Sequence, residues 1–502
     1  MIEWTAVHGH GNYVKNCRPL TFRCGEIRFP VLGIGETDAV RESSNHHARE
    51  QQRQGVFGFD AVGGAVFFDR SADRCGVVSR DRGFAGRGNR AAGCVAGLYR
   101  DGGVCFGGGF YASETGGAGA IGDYIGRAWG SLAGVGVLGI YVLSLMFSGA
   151  GGFTIAVGEL AARFADFYFD FPLPWWVGAM AVGVIAWILN LRGAAVATRA
   201  QLLIIAVSVI PFLLTAVAAI IHAGANNTLA VFSWSNPHGG DLFGALLFCI
   251  LLFGGFETAG SLAEETPNPR LNIPLALVGT VGGAALLLVI CSYAGTIYYG
   301  EENAAKSWGG VMDGYARMAD DLLGPWAGFW IRLAVLVDFT ATCIGFTVAA
   351  SRGIFSLARS GLLAKGLAST TRQGAPKAAG LVVLCGALLA VGAGLLVPAS
   401  QRYETLFVTA TAQALLLVLV YTALALGALR LIFRNPSAQP LWRWIIFPLA
   451  AIAPGLALYG TFFPFPDNPE RFGLFGAFAA ILITVLWLLR VRARVKNGAL
   501  KN

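Results

Sequence analysis

Ten apolar segments of membrane-spanning length dominate the chain from residue 130 onward. Each exceeds 16 residues and carries at most three charges, the pattern of a membrane helix. They cover approximately 132–157, 175–191, 199–222, 241–262, 272–299, 326–350, 378–398, 404–428, 442–463 and 470–490. Alternating segments of about 10 residues, the pattern of transmembrane barrels, do not occur. The pattern therefore predicts an all-α, polytopic membrane protein.

The connecting loops differ in their content of Lys and Arg. The loop between 350 and 378 holds five such residues, and the tail from Arg490 onward holds five more, whereas 223–240 holds none. Because Lys and Arg accumulate in cytoplasmic loops, the 350–378 loop and the tail are expected to face the cytoplasm. With an even number of spans, both termini are then cytoplasmic, in a multi-pass protein of the cytoplasmic (plasma) membrane.

The composition agrees with lipid as the main solvent. Charged residues make up 13% of the 502 positions, about half the usual share of roughly 25% in soluble proteins, and hydrophobic residues make up 55%. The net charge of +8 lies mostly in short loops, where it is a topology signal, so no nucleic-acid partner is expected. The nine cysteines include no C-x-x-C pair and no zinc-type spacing, so neither a metal nor a cofactor is expected.

Residues 1–109 differ sharply from the rest. Of these 109 positions 25 are charged, against 41 of the remaining 393, and 13 of the 14 basic residues are Arg. No run here reaches the roughly 20 apolar residues needed to cross a bilayer, and no helix or strand period is sustained. The sequence thus predicts an atypical, disordered N-terminal region at 1–109 and a membrane domain at 110–502.

A glycine pair followed by a carboxylate interrupts the fourth apolar segment, at Phe253, Gly254, Gly255, Phe256 and Glu257. Glycines allow a membrane helix to unwind, which frees carbonyls for an ammonium group and amides for a carboxylate. An amino acid carries both groups, so these five residues are the candidate substrate site. The alternative is that the two glycines serve only close helix packing.

Four sequence blocks resemble the amino acid–polyamine–organocation transporter superfamily. The blocks are Phe253 to Pro274, Ser351 to Pro376, Asn190 to Gln201 and Thr115 to Ala128. They are similar, in order, to the family's sixth helix with its following loop, the loop after its eighth helix, the turn from its fourth to fifth helix, and the lead into its third helix. The resemblance covers about residues 112–490.

The resemblance implies a LeuT-like architecture in which ten of twelve helices form two inverted repeats of five. The ten spans then correspond to the family's helices three to twelve. It also implies secondary transport of amino acids or related amines by alternating access, driven by proton symport or by exchange, and not an enzyme. The partners would be the substrate, protons and the lipid bilayer; no ATP-binding loop occurs in the chain.

The family's first two helices have no counterpart in this chain. In the family the first helix carries a Gly-rich break that binds the substrate carboxylate; the nearest match here, Leu32 to Gly35, lies in no apolar span. One hypothesis is that residues 1–109 come from a frameshifted reading frame, since their Arg-, Gly- and Cys-rich content fits out-of-frame GC-rich DNA. The alternative function is then a nonfunctional permease remnant that lacks half of its substrate site.

Four polar residues within the spans are candidates for coupling or gating: Glu257, Asp338, Ser208 and Gln413. Glu257 follows the glycine pair, where the resemblance implies gating or proton coupling; bonding to nearby backbone is the alternative. Asp338 is either a proton carrier, a partner for a cation or a structural group. Ser208 stands where some proton-coupled relatives place a Lys. Gln413 either lines the pathway or makes an interhelical contact.

Overall fold

The structure is a computed structural model, and it describes residues 121–232, 253–255, 257, 269–300, 304, 313–434, 441–462 and 470–496. Within these ranges the chain is helical. No strand occurs among the described residues, where β-type pairing is limited to an isolated bridge between Thr370 and Pro376. The expected all-α class is confirmed.

The first helices run from residue 121 to residue 223. They are α1 (Ile121–Trp129), α2 (Ser131–Leu145), a π-helix (Met146–Phe153), α3 (Thr154–Phe169), α4 (Trp175–Leu191) and α5 (Ala194–Ala223). The segment from α2 through α3 is one continuous rod of 39 residues. It ends at Asp170, whose left-handed backbone (φ 50°) lets its N–H and that of Phe171 bond back to carbonyls of the last turn.

The remaining helices follow from residue 269. They are α6 (Pro269–Tyr299), α7 (Gly314–Leu323), α8 (Pro325–Arg359), α9 (Lys377–Gly394), α10 (Ala399–Arg402), α11 (Thr405–Arg434), α12 (Leu441–Phe462) and α13 (Glu470–Lys496). Proline starts two of them, α6 and α8, at a position where its missing N–H costs no helical hydrogen bond.

Most of the predicted spans coincide with these helices. Seven helical segments of the described chain are long and apolar enough to cross a membrane, and two more, within α4 and α12, are apolar but shorter. The predicted span 241–262 lies almost entirely outside the described residues. Four helices end six or more residues later than predicted: α3 ends at 169, α8 at 359, α11 at 434 and α13 at 496. Charged or polar residues at these ends reach past the apolar core, which the hydropathy pattern alone does not register.

Burial separates the interior helices from those that face lipid. In α8 and in the α10–α11 segment, 72% and 61% of the most apolar 18-residue window is buried, against 28% in α13. Large apolar side chains such as Leu482 and Ile483 of α13 are about 60% exposed. Exposed apolar side chains are stable in hydrocarbon, so α8 and α11 form the core of the bundle and α13 lies at its periphery.

Glycines allow the π-helix to approach its neighbours closely. A β-carbon at Gly149 would collide with the side chain of Phe346 on α8, and one at Gly152 would collide with Thr409 on α11. The Thr154 hydroxyl donates to the Gly149 carbonyl at 2.9 Å, which satisfies one of the carbonyls that the irregular turn leaves without its α-helical partner. The Gly-rich run therefore joins α2–α3 to both interior helices.

A polar network fixes α7 to the membrane helices around it. The Arg332 guanidinium of α8 forms ion pairs with Asp313 (3.0 Å) and Asp320 (2.9 Å) and donates to the Tyr168 hydroxyl at 3.0 Å. The Tyr315 hydroxyl donates to the Phe212 carbonyl at 3.1 Å. Burial, followed by the neighbouring Cys291, raises the pKa of Tyr315 well above its usual value, so this phenol remains a donor. The network holds α7 against α3, α5 and α8.

Substituting Gly149 by Ala should destabilise the protein by about 1–3 kcal/mol, because the added methyl overpacks against Phe346. Gly282 of α6 is the matched control, since a β-carbon there meets nothing within 4 Å. Gly282→Ala should leave stability unchanged or raise it by about 0.5–1 kcal/mol through helix propensity. Thermal unfolding of both variants in detergent checks this; equal effects would mean that the close approach does not constrain the π-helix.

Candidate functional site

The chain leaves regular helix at the glycine pair. Phe253 is helical and buried, whereas Gly254, Gly255 and Glu257 lie in a turn. Gly255 has φ 106°, a conformation that residues with a β-carbon rarely adopt. Phe256 lies outside the described residues. The Gly-Gly pair thus marks a backbone irregularity inside the bundle, as expected from the sequence, and the assignment of substrate to these residues stays a prediction.

The Glu257 carboxylate ties this turn to α11. Its Oε2 accepts a hydrogen bond from the Gly255 amide at 3.0 Å and one from the Tyr421 hydroxyl at 2.8 Å. Glu257 is 6% exposed and Tyr421 is 1% exposed. The bond to neighbouring backbone, one of the two alternatives for Glu257, is therefore present, and the side chain also links two separate segments. The gating or coupling role stays a prediction. In a water-poor interior such charge-assisted bonds are strong.

Asp338 lies at a different level of the bundle. It is fully buried in α8, beside Phe339, whose ring lies 5.1 Å from that of Phe153 at the end of the π-helix. On α11 the same level is marked by Thr409, which faces Gly152. Thr409 and Tyr421 are 12 residues apart, about 18 Å along a helix axis. Asp338 and Glu257 are thus two distinct polar points and not one carboxylate pair.

Ser208 and Gln413 are both buried, each at 2% exposure. The Ser208 hydroxyl donates to the Ile205 carbonyl of its own helix at 3.3 Å, which is the local bonding expected of a structural serine. Gln413 lies on α11, two turns before Tyr421. Of the four candidates, Glu257 is therefore joined directly to the glycine turn, and Gln413 lies on the helix to which Glu257 is bonded.

The other end of α11 is also held by a charged pair. Arg402 of α10 donates to Glu159 of α3 at 2.8 Å, and its guanidinium lies 4.6 Å from the ring centroid of Trp175 on α4. The two charged side chains are only 14% and 10% exposed. The α10–α11 segment therefore has two polar anchors, one on α3 and α4 and the other on the glycine turn.

Sequence reasoning missed Tyr421 and the π-helix. The run Ser148-Gly149-Ala150-Gly151-Gly152 inside an apolar span was a visible signal of an irregular helix, because small residues at this density permit close approach. Tyr421 carried no such signal, since an aromatic residue in an apolar helix is usual. Only the fold brings its hydroxyl to Glu257.

These features define a class: an all-α, multi-pass membrane protein with a LeuT-like inverted-repeat transporter core. The crystal structure of the Eremococcus coleocola manganese transporter, in complex with an aromatic bis-isothiourea substituted compound, has this fold with a TM-score of 0.53 at 12% identity. The match covers 92% of this chain and 97% of that one. The sequence model of the amino acid permease family matches residues 102–487, so the chain belongs to that family.

The curated relatives are aligned over only part of their length. The branched-chain amino acid permease of Lactococcus lactis is 24% identical over 53% of this chain and 59% of its own length. The arginine/ornithine antiporter of the same bacterium is 21% identical over 40% and 42%, respectively. Cationic amino acid transporter 5 of Arabidopsis thaliana is 28% identical over 41% and 35%. The aligned part spans between about a third and three fifths of these relatives.

Replacing Tyr421 by Phe should lower stability by about 2 kcal/mol, because a buried hydrogen bond to a charged group is lost. Tyr293→Phe is the matched control: its hydroxyl bonds to Asn227 in an exposed position, so its loss should cost less than about 0.5 kcal/mol. The measurement is the thermal unfolding of the purified full chain. A Tyr421→Phe variant as stable as the control variant would contradict the proposed anchor.

Proposed function

We propose that this protein is a secondary transporter of amino acids or related amines that works by alternating access. The observation that carries the proposal is the irregular turn at Gly254 and Gly255, buried in the bundle and fastened to α11 through Glu257. A lipid-facing helix does not leave backbone groups exposed in this way, and transporters use such turns to bind ions and zwitterions. Membership of the amino acid permease family supports the same conclusion.

In this proposal Phe253, Gly254, Gly255, Phe256 and Glu257 form the substrate site. Carbonyls released by the turn accept hydrogen bonds from the substrate ammonium, and amides released by the turn donate to its carboxylate. The Gly255 amide donates to the Glu257 carboxylate in this structure. A substrate carboxylate that reached this amide would have to displace Glu257, so Glu257 would act as an internal competitor and as a gate.

The same geometry suggests how protons would be coupled. Protonation of Glu257 would weaken its acceptance of hydrogen bonds from the Gly255 amide and the Tyr421 hydroxyl. That change would release α11 from the turn and free the amide for substrate. Proton symport is thus the coupling mode we propose first, with exchange as the alternative; Asp338 would belong to a second step, because it lies at another level of the bundle.

The substrate is proposed to be an α-amino acid. The relatives' names include branched-chain amino acids, arginine with ornithine, and cationic amino acids, which share the ammonium and carboxylate and differ in the side chain. The membrane would be the cytoplasmic one, with both termini in the cytoplasm. The accumulation of Lys and Arg in alternate loops supports this orientation.

A second candidate function follows from the composition of residues 1–109. We propose that this region is separate from the permease domain at 110–502, and its high charge and Arg content favour an out-of-frame origin. In the family the first helix completes the substrate site. A chain without that helix would be a nonfunctional remnant of a permease.

Uptake of radiolabelled amino acids into proteoliposomes distinguishes the two functions. A transport-competent chain should show saturable uptake above empty liposomes, driven by an inward proton gradient or by preloaded amino acid. A frame-corrected chain, with residues 1–109 replaced by the translation of another frame, is tested beside it. Uptake by the corrected chain alone would identify this chain as the remnant; absence of uptake in both would refute the transporter proposal.

Glu257→Gln should reduce proton-driven uptake roughly tenfold or more in a transport-competent chain, because an amide cannot take up and release the proton that couples the gradient to substrate binding. Wild-type uptake should rise as the pH falls, because the protonated carboxyl is the form that opens, and the variant should lose this dependence. Ser208→Ala is the control. It is expected to keep both the rate of proton-driven uptake and its pH dependence, because Ser208 bonds within its own helix. A Glu257→Gln variant with unchanged pH dependence would exclude Glu257 from coupling.

A further inference from the structure

The two ends of the helical bundle carry opposite kinds of charge. At the end where α11 and α13 terminate, the described carboxylates are limited to Asp123 of α1. The described basic residues at this end with exposed side chains are Arg127, Arg192, Arg199, Arg359, Lys365, Lys377, Arg372, Arg430, Arg434, Arg490 and Arg492. At the opposite end, cations such as Arg332 and Arg402 are paired with Asp or Glu. Exposed positive charge is therefore concentrated at one membrane boundary.

Within this basic end, two arginines of α11 stand out by their geometry. Arg430 and Arg434 are one helical turn apart, and both are exposed. The Arg430 guanidinium lies 4.6 Å from the ring centroid of Trp129 on α1, and the Arg434 guanidinium approaches the Arg127 carbonyl at 3.5 Å. Neither arginine pairs with a carboxylate in the part of the chain that the structure describes. Both guanidinium groups are thus positioned with donors to spare.

The surface beside them is apolar and exposed. Leu426 and Phe433 lie on the same face of α11 as the two arginines and are 43% and 65% exposed, and Trp129 is 43% exposed. The rest of α11 is largely buried, so this stripe is where the interior helix reaches the surface. An indole beside two guanidiniums, with exposed apolar side chains next to them, matches the interfacial region of a bilayer.

The neighbouring helix adds further charge at the same level. Gly473 of α13 packs on Thr411 of α11, and Gly476 packs near Ala412, so the two helices run side by side in the same direction. Because both helices rise equally per residue from this contact, the exposed Arg490 and Arg492 of α13 lie near the level of Arg430 on α11. The charge around the stripe is therefore positive on both helices.

We propose that this stripe, formed by Leu426, Arg430, Phe433 and Arg434 with Trp129, binds an acidic phospholipid. The lipid belongs to the leaflet at the end of the bundle where α11 and α13 terminate. Arg430 and Arg434 hold the phosphate, for which the guanidinium fork is suited, and Leu426 and Phe433 contact the acyl chains. A free phosphate would contact the two arginines alone, whereas a lipid contacts the arginines with its headgroup and the apolar side chains with its acyl chains. The bound lipid would hold α1 against α11.

Native mass spectrometry of the purified full chain, titrated with phosphatidylglycerol or phosphatidylcholine in detergent, tests the proposal. Each basic residue near an anionic membrane contributes about a fivefold factor, so Arg430→Gln with Arg434→Gln should weaken phosphatidylglycerol binding about 30-fold. Lys365→Gln with Arg372→Gln is the matched control, since it removes two exposed charges from the same end; it should weaken binding less than about threefold. Phosphatidylcholine should bind equally weakly to all.

Two further measurements keep the outcome decisive. Phosphatidylglycerol should raise the melting temperature of the wild type, while inorganic phosphate should not; an equal rise with phosphate would overturn the lipid assignment. If the double variant does not fold, Arg430→Gln and Arg434→Gln singly should each weaken binding about fivefold. An equal loss in the control pair, or unchanged binding in the arginine variants, would likewise overturn it.

Discussion

The constraint on which the structure depends is that hydrocarbon cannot hydrogen-bond to a peptide group. Every backbone irregularity must therefore lie inside the bundle and find its partners there. The π-helix at Met146–Phe153 and the turn at Gly254 and Gly255 are two such places in the described chain. In both, side chains supply bonds that the regular helix no longer provides: Thr154 donates to the Gly149 carbonyl, and Glu257 accepts from the Gly255 amide.

Helix α11 connects these two places. Thr409 packs on Gly152 of the π-helix, and 12 residues further along the same helix Tyr421 bonds to Glu257. Before α11 begins, Arg402 is held by Glu159 and Trp175. A rigid helix with anchors on different segments transmits displacement from one to another, because a packed interior is nearly incompressible. Movement at the glycine turn can therefore be passed along α11 to α3 and α4, which Arg402 contacts.

The sequence predicted the membrane helices well and their interior contacts poorly. Apolar runs such as 326–350 are decided by composition, since any helix must be apolar to cross lipid. The Gly254-Gly255 break was also predictable, because two adjacent glycines before a carboxylate favour unwinding of a membrane helix, with close packing as the alternative. Tyr421 was not, because its role depends on which helix lies beside Glu257, a tertiary fact without a local pattern. The position of Asp338 along the bundle relative to Glu257 likewise required the fold.

The arginines show how position decides what one side chain does. Arg402, nearly enclosed, requires Glu159, since an unpaired guanidinium at that depth would be costly. Arg332, closer to the end of its helix, is neutralised by Asp313 and Asp320 and holds α7 in place. Arg430 and Arg434, at the opposite boundary, lie among cations and have no carboxylate partner among the described residues, so their donors are open to an anionic group from outside the described chain. The same chemistry thus supports a buried anchor, a clamp on a loop helix and a surface for an anionic headgroup.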